Sequence, residues 1–273
     1  MKASDSILSK WMRKRMASIH HGRREYGVGR GDVTILAYFF IADMASDNEE
    51  CAFGDVECAI RETWLRCGMM KTVIVVNRCI KCVERFAEGF SSLVQIQVEK
   101  TLIPGSIYTM SVDCNSRLHR RFDTPNVLIV QNDGFPLRSG LDEFVGESDF
   151  IGAPYVRDKW WLRCICHALG CWVSNGGFSL RSHEICELAS FYWNKKYQTW
   201  PDCDDVSEDY FYTKTLPIRE SSFRRKIKIA NTRRGLDFSY DAIVPYFRST
   251  LPFGFHNQKS FAVLMEKFSE KII

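Results

Sequence analysis

Apolar residues at Ile7, Leu8, Trp11, Met12, Met16 and Ile19 recur at helical spacing, with Lys10, Arg13, Lys14 and Arg15 largely on the other side. Ser4 to Ser6 can cap the start and Gly22 fits the end, so the pattern predicts a basic amphipathic helix. Such a helix lies in a membrane interface through its Trp/Met face, or packs on its own domain or a second subunit. From residue 31 a strand–helix alternation begins. Val33–Ile41 reads as a strand, Asp55–Cys67 as a helix closed by Gly68, and Thr72–Val76 as a continuously apolar strand of the buried parallel type. A helical stretch follows around Cys79–Glu88, then a strand over Leu93–Val98 in which Val94, Ile96 and Val98 alternate. Asn126–Val130 (NVLIV) is another buried strand, ending abruptly in Gln131-Asn132-Asp133-Gly134. Strands alternating with helices predict an α/β sheet, whose ligand sites lie at strand carboxyl ends.

The 273 residues suit one large domain, or a domain with a tail, and the 45% hydrophobic and 26% charged content is that of a globular chain. The most apolar run, Val33 to Ala42, is bounded by Asp32 and Asp43. That is about half the roughly 20 residues a bilayer requires, so no membrane span is expected. No apolar stretch follows the first basic residues, so no secretory signal is expected either. The net charge of +4 conceals two basic segments. Residues 1–30 carry eight Lys/Arg against Asp5 and Glu25, +6; residues 214–234 carry eight against Glu220, +7. The remaining body is −9. Basic segments of this kind seek phosphates or anionic surfaces. Eleven cysteines, an odd number without an export signal, read as reduced thiols in a cytosolic-type compartment. Cys79-x-x-Cys82 with Cys164-x-Cys166-His167 is the alternative zinc reading, against inert buried thiols.

Four segments carry residue types suited to chemistry. Asp133, at a strand end with Gly134 beside it, can hold a divalent metal against a diphosphate, or simply make a turn. Ser174-Asn175-Gly176-Gly177-Phe178-Ser179-Leu180-Arg181 reads as a glycine loop open to a ligand, or as a tight turn into a helix starting after Ser182. Glu208 and Asp209 are adjacent on a predicted helix, so their side chains diverge; one suits general-base work on a hydroxyl. Asp202, Asp204 and Asp205 before them read as a solvated acidic loop. His256, in Leu251-Pro252-Phe253-Gly254-Phe255-His256-Asn257, is a structural histidine or the imidazole that completes a metal shell.

In order, Tyr108, VLIVQNDGF (127–135), DFIGAPY (149–155), SNGGFSLRS (174–182), SEDYFY (207–212), IANTRRGLDFSYD (229–241) and LPFGFHN (251–257) resemble one family across about residues 100–260. It is a group of bacterial and microbial-eukaryote proteins, long labelled a domain of unknown function and placed among GT-A-type glycosyltransferases. The resemblance implies an α/β, GT-A-like single domain over 31–273 behind a basic segment, 1–30. A nucleotide-binding part would span about 31–150 and an acceptor-binding part about 151–273. It places Asp133 at the last Asp of a metal-binding D-x-D and His256 at the late metal-completing histidine. Asp209 and Glu208 fall at the acidic pair that holds an inverting enzyme's base. Asn175, Gly176 and Gly177 fall in the loop lining the sugar and acceptor pocket, with Gln131 and Asn132 beside the donor. One departure matters: Gln131 stands where D-x-D has its first Asp, which leaves metal dependence open.

The implied activity is transfer of a sugar from a nucleotide-sugar, a UDP-sugar first, to a glycan or lipid-linked acceptor hydroxyl, in surface polysaccharide or glycoconjugate synthesis. Mn²⁺ or Mg²⁺ would be the cofactor, inversion the outcome, and cytoplasm the location, peripheral to membrane through residues 1–24. The rival is a catalytically inactive nucleotide- or glycan-binding module on the same fold. Nucleic-acid binding is not expected, because no stacking or groove-reading motif accompanies the basic segments.

Overall fold

Strand Val33–Phe39 (β1) is buried at all seven positions and Thr72–Val76 (β2) at all five, as their unbroken apolar runs require of strands covered on both faces. The computed structural model describes residues 6–21, 26–40, 49–78, 80–101, 107–155, 173–196, 207–216, 227–241 and 249–272. Within them β1 is central. It pairs in parallel with β2, Ile35 opposite Thr72, and with Asn126–Val130 (β4), Val33 opposite Asn126. Ile96–Lys100 (β3) adds a partly exposed parallel edge to β2. Val173–Ser182 (β6) runs antiparallel to β4, and Phe150–Tyr155 (β5) antiparallel to β6. The six-stranded mixed sheet has the order β3-β2-β1-β4-β6-β5.

Alternation along each strand divides the core into two layers. Val33, Ile35, Ala37 and Phe39 meet Glu49–Cys67 (α2) and Lys81–Phe90 (α3), where Trp64 and Phe86 stack at 5.7 Å. Leu36 and Tyr38 meet Ile107–Arg117 (α4) and His183–Lys196 (α5). After a helical turn, Glu208–Tyr210 (α6), continued by a π-helical stretch over Phe211–Thr215, the described chain resumes at residue 227. It then forms Thr232–Phe238 (α7), a two-stranded parallel pair Ser239–Tyr240 (β7) and Gly254–Phe255 (β8), and a final helix Gln258–Ile272 (α8).

Several boundaries differ from the sequence expectation. The helix before Gly68 starts at Glu49 rather than Asp55, and β1 stops at Phe39. The edge strand starts at Ile96 rather than Leu93 because the N–H groups of Leu93 and Val94 both return to the Phe90 carbonyl, winding that stretch onto the end of α3. Leu93 is accordingly exposed. Gly68 does close α2, at φ +82°, and a Cβ there would stand 2.6 Å from the Gly29 backbone nitrogen.

The amino-terminal helix, Ile7–His21 (α1), is amphipathic as expected, but its apolar face is occupied within the chain. Leu8 and Met12 are buried with Phe255, Phe261 and Leu264. Trp11 stacks on Phe135 at 6.0 Å and tilts against Phe261 at 5.3 Å. Arg15 Nε donates to buried Glu62 Oε1 at 2.5 Å. The exposed side carries Lys10, Arg13 and Lys14. Among the described residues no helix is long and apolar enough to cross a membrane.

Cys58, Cys67, Cys82, Cys114 and Cys186 are free thiols. Burial pushes those of Cys67 and Cys186 up to about 12, which makes poor nucleophiles and poor metal ligands. Cys79, Cys164, Cys166 and His167 of the zinc reading lie outside the described residues, as do Asp202, Asp204, Asp205 and Gly22.

Trp11 is the side chain that ties α1 to both Phe135 and α8. Trp11→Ala should lower unfolding free energy by up to ~3 kcal/mol, the lower end for a large aromatic truncation because the ring is half-buried. Urea denaturation measures it; an unchanged midpoint would mean that α1 docks through other contacts.

Candidate active site

Parallel β1, β2, β3 and β4 end on one rim of the sheet, and antiparallel β6 brings its amino-terminal half to the same rim. The register Ile129 opposite Ser179 leads the end of β4 toward Gly177. There β4 closes into a tight turn: Gln131 N–H donates to the Gly134 carbonyl at 2.9 Å and Gly134 N–H to the Gln131 carbonyl at 3.1 Å. The Asp-Gly step is therefore a turn, and the turn holds half-buried Asp133 at the rim, with Asn132 exposed beside it. Asn257 N–H donates to the Asp133 carbonyl at 2.7 Å, which brings His256 alongside. Glycine at 134 permits this approach, since a Cβ there would stand 3.2 Å from His256 Cδ2.

The Asn175-Gly176-Gly177 step, read as a ligand-open glycine loop or as a tight turn, is an irregular stretch of strand, and the helix does begin after Ser182, at His183. Gly152 pairs with Ser179 and Pro154 with Ser174, so two steps along β5 face five along β6. Bulges of this kind re-aim a strand beside a site. Both glycines sit where side chains converge. A Cβ at Gly176 would stand 2.5 Å from Glu208 Oε1, 2.5 Å from Arg181 Nη2 and 2.6 Å from Asp209 Oδ1. A Cβ at Gly177 would stand 2.6 Å from Gln131 Oε1, with His256 Nε2 nearer still.

Rather than diverging, the two carboxylates of α6 both reach the Gly176 step, each with its own partners. Glu208 is buried; it accepts from Ser111 Oγ at 2.8 Å and lies 3.6 Å from Arg181 Nη2. Asp209 is half-buried and accepts from the Gly176 N–H. Arg181 is fully buried, its guanidinium 4.6 Å from the Tyr212 ring centroid and 5.0 Å from that of Phe150. Its Nη2 also donates to the Gly176 carbonyl at 3.2 Å. Burial, then the charge of Glu208, pushes the Asp209 carboxyl up to about 7, against the pull of Arg181, the Gly176 N–H and His256.

Opposite, Gln131 Nε2 donates to Met110 Sδ at 3.2 Å, which turns Oε1 toward Gly177. Burial pulls the His256 pKa down, and Asp241, Asp133 and Asp209 outweigh it, so it lies above its ordinary value. Among the described residues no group of three His, Cys, Asp or Glu side chains converges on a metal geometry. The donors at hand are the Asp133 carboxylate, His256 Nε2 and the Gln131 amide oxygen. Such a set fits a divalent cation that completes its shell with water and a diphosphate.

Sequence reasoning missed three residues of this arrangement, Ser111, Arg181 and Asp241. Arg181 had a readable signal, because it shares a strand face with Ser179 opposite buried Phe178 and Leu180. Asp241 had none, being a lone Asp after a short strand. Of the second basic segment, Arg234 is committed elsewhere: it pairs with Glu147 at 2.5 Å and covers the Phe144 ring at 4.3 Å. Arg219, Arg224, Arg225 and Lys226 lie outside the described residues. Two surface clefts, about 330 Å³ beside Ile185 and Phe191 and about 420 Å³ between α2 and α3, are formed by other residues.

Residues 96–256, more than half of the chain, match the family described as protein of unknown function (DUF5672). The chain belongs to that family. The turn, the glycine step, the acidic pair and His256 all fall within the matched span of this DUF5672 member. No curated protein matches it. Among solved structures it is similar to the galactosyltransferase LgtC, in complex with donor and acceptor sugar analogs, at 14% identity and TM-score 0.47, covering 88% of this chain and 95% of that one. It is also similar to the apo-form glycosyltransferase GlyE of Streptococcus pneumoniae, at 12% identity and TM-score 0.45, covering 83% of this chain and 54% of that one. A third similarity is to core-mannan synthase A of Aspergillus fumigatus in its Mn/GDP form, at 9% identity and TM-score 0.41, covering 68% and 67%.

The acidic pair makes a stability prediction with opposite signs at its two members. Glu208→Ala leaves Arg181 buried without its carboxylate and should cost about 3–5 kcal/mol. For Asp209 the folded pKa lies above the ordinary 3.8, so folding favours the protonated form. That stabilisation is complete below about pH 4 and is lost as pH rises through about 7. Asp209→Asn keeps an oxygen for the Gly176 N–H and carries no charge. Relative to the variant, wild type should lose stability between about pH 4 and pH 7 in urea titrations; a constant difference would refute the raised pKa.

Proposed function

We propose that this chain is a GT-A-like, inverting glycosyltransferase that moves a sugar from a nucleotide-sugar, foremost a UDP-sugar, to a hydroxyl of a glycan or lipid-linked acceptor. One observation carries the reading. The acidic pair, the Gln131–Gly134 turn and His256 meet on two consecutive glycines at the carboxyl rim of the parallel strands. That rim is where α/β sheets bind ligands, and the six family-like segments supply the residues.

Asp209 is the general base. Its raised pKa, set by burial and Glu208, matches removal of a proton from an acceptor hydroxyl near neutral pH. Glu208, tied to Arg181 and Ser111, acts as the fixed charge that sets Asp209 rather than as a second base. Glycine at 176 and 177 leaves room for the sugar between the acidic pair and His256, and Asn175 lines the acceptor side. Asp133, His256 and the Gln131 oxygen would hold Mn²⁺ or Mg²⁺, which supplies charge neutralisation for a departing diphosphate. Attack on the sugar face opposite that diphosphate, with Asp209 taking the proton, inverts the anomeric carbon. The chain works in cytoplasm. Any docking to a membrane that carries lipid-linked acceptors uses the exposed basic side of α1, because its apolar side is packed on Phe135 and α8.

Gln131 in place of a carboxylate favours a second reading, a binding module without turnover. A panel of nucleotide-sugars assayed with and without Mn²⁺ separates the two. The glycosyltransferase predicts metal-dependent transfer or slow donor hydrolysis. Asp209→Asn should cut turnover by about 10²–10⁴ while donor affinity stays within about twofold. Full turnover in that variant removes the base assignment, and a panel with no binding donor removes the glycosyltransferase.

A further inference from the structure

We infer that Asp241 is the positioning residue of the site. It holds the His256 ring with its proton on Nδ1, so that Nε2 presents a lone pair to the space beside Gly177. The inference rests on the placing of His256 in the donor site above.

Asp241 is 1% exposed and follows directly on β7. Its carboxylate gathers three side chains from two separate segments. Asn257 Nδ2 donates to Oδ1 at 2.9 Å, Asn175 Nδ2 to Oδ2 at 3.4 Å, and His256 Nδ1 lies 3.6 Å from Oδ2. Asn175 belongs to the irregular step of β6, and its own oxygen accepts the Gly177 N–H at 2.8 Å. One buried carboxylate therefore connects the glycine step to the loop that carries His256. That loop also needs Asn257 at φ +73°, an unusual conformation for a side-chain-bearing residue, and Asp241 anchors the Asn257 amide there.

The tautomer follows from electrostatics. His256 Nδ1 is buried without a hydrogen-bond partner, and the carboxylate that faces it, 3.6 Å away, is that of Asp241. With Nδ1 bare, its lone pair would face the Asp241 carboxylate away from water, which is repulsive; with Nδ1 protonated the same geometry is attractive. Of the other groups that face the ring, Asp133 and Asp209 act on it through charge alone and the Gln131 amide oxygen beside Gly177 is neutral, which leaves Asp241 as the carboxylate placed to hold a ring proton. Carboxylates behind a histidine act this way in metal sites generally, fixing the ring and raising the basicity of the free nitrogen.

Long-range ¹H–¹⁵N spectra of the full chain near pH 8.5 test this, with the His256 signals assigned by their loss in His256→Gln. The expected wild-type pattern is protonated Nδ1 and bare Nε2. In Asp241→Asn the Nδ1-protonated population should fall severalfold, and Mn²⁺ affinity, read by paramagnetic broadening of His256, should fall about 10–100-fold. A proton on Nε2 in wild type overturns the inference, and this does not depend on the Asp241→Asn variant folding. So does a folded Asp241→Asn with unaltered tautomer. If wild type shows the expected tautomer and Mn²⁺ leaves His256 sharp, the cation assignment fails while the role of Asp241 stands.

Discussion

A fully buried guanidinium, Arg181, is the constraint from which the site follows. A charge so far from water is tolerated only with a counter-charge and hydrogen bonds. Glu208 supplies the charge, the Gly176 carbonyl and Ser179 Oγ accept hydrogen bonds from Nη2 and Nε, and the Tyr212 and Phe150 rings lie beside the guanidinium, whose Nη1 is buried without a hydrogen-bond partner. Meeting those demands draws β6 out of regular pairing, brings α6 onto the sheet rim and requires a residue without Cβ at 176. Asp209 is placed as a consequence: it is the neighbour of the residue that Arg181 needs, and the Gly176 N–H holds it at the same glycine.

Much of the sheet was legible because its strands are driven by burial. Thr72–Val76 and Asn126–Val130 appear as expected, since an unbroken apolar run of four behind a polar first residue leaves few alternatives. The β6 step was not legible. Two glycines after an apolar pair signal a turn locally, whereas here they answer groups 30 or more residues away: Glu208 and Asp209 for one, Gln131 and His256 for the other. A local pattern reports backbone permissiveness and cannot report what occupies the permitted space. Asp241 escaped for the same reason, as its partners Asn175 and His256 lie in other segments. The amphipathic face of α1 was legible, but its occupant was not: a Trp/Met stripe fits a lipid interface and the Phe135–Phe261 surface equally well.

That last contact joins stability to chemistry. Phe135 follows Gly134 directly and packs on Phe255, the residue before His256, at 4.8 Å. Trp11 stacks on the same ring. The turn bearing Asp133 and the loop bearing His256 are thus backed by one aromatic cluster to which both chain-terminal helices contribute, so the rigidity of the donor side depends on helices remote from it in sequence.

Charge balance then decides how the site must meet its ligand. Asp133, Glu208, Asp209 and Asp241 gather around one Arg and one His, and Arg181 is already neutralised by Glu208. Arg234, the nearest candidate from the basic segment by sequence, is held by Glu147 and Phe144. A diphosphate entering this rim would face net negative charge in a partly desolvated setting, where repulsion is several times stronger than in water. Among the described residues, the groups at this rim that could accept a compensating cation are Asp133, His256 and the Gln131 oxygen, and Gln131 in place of a carboxylate lowers the charge they offer it.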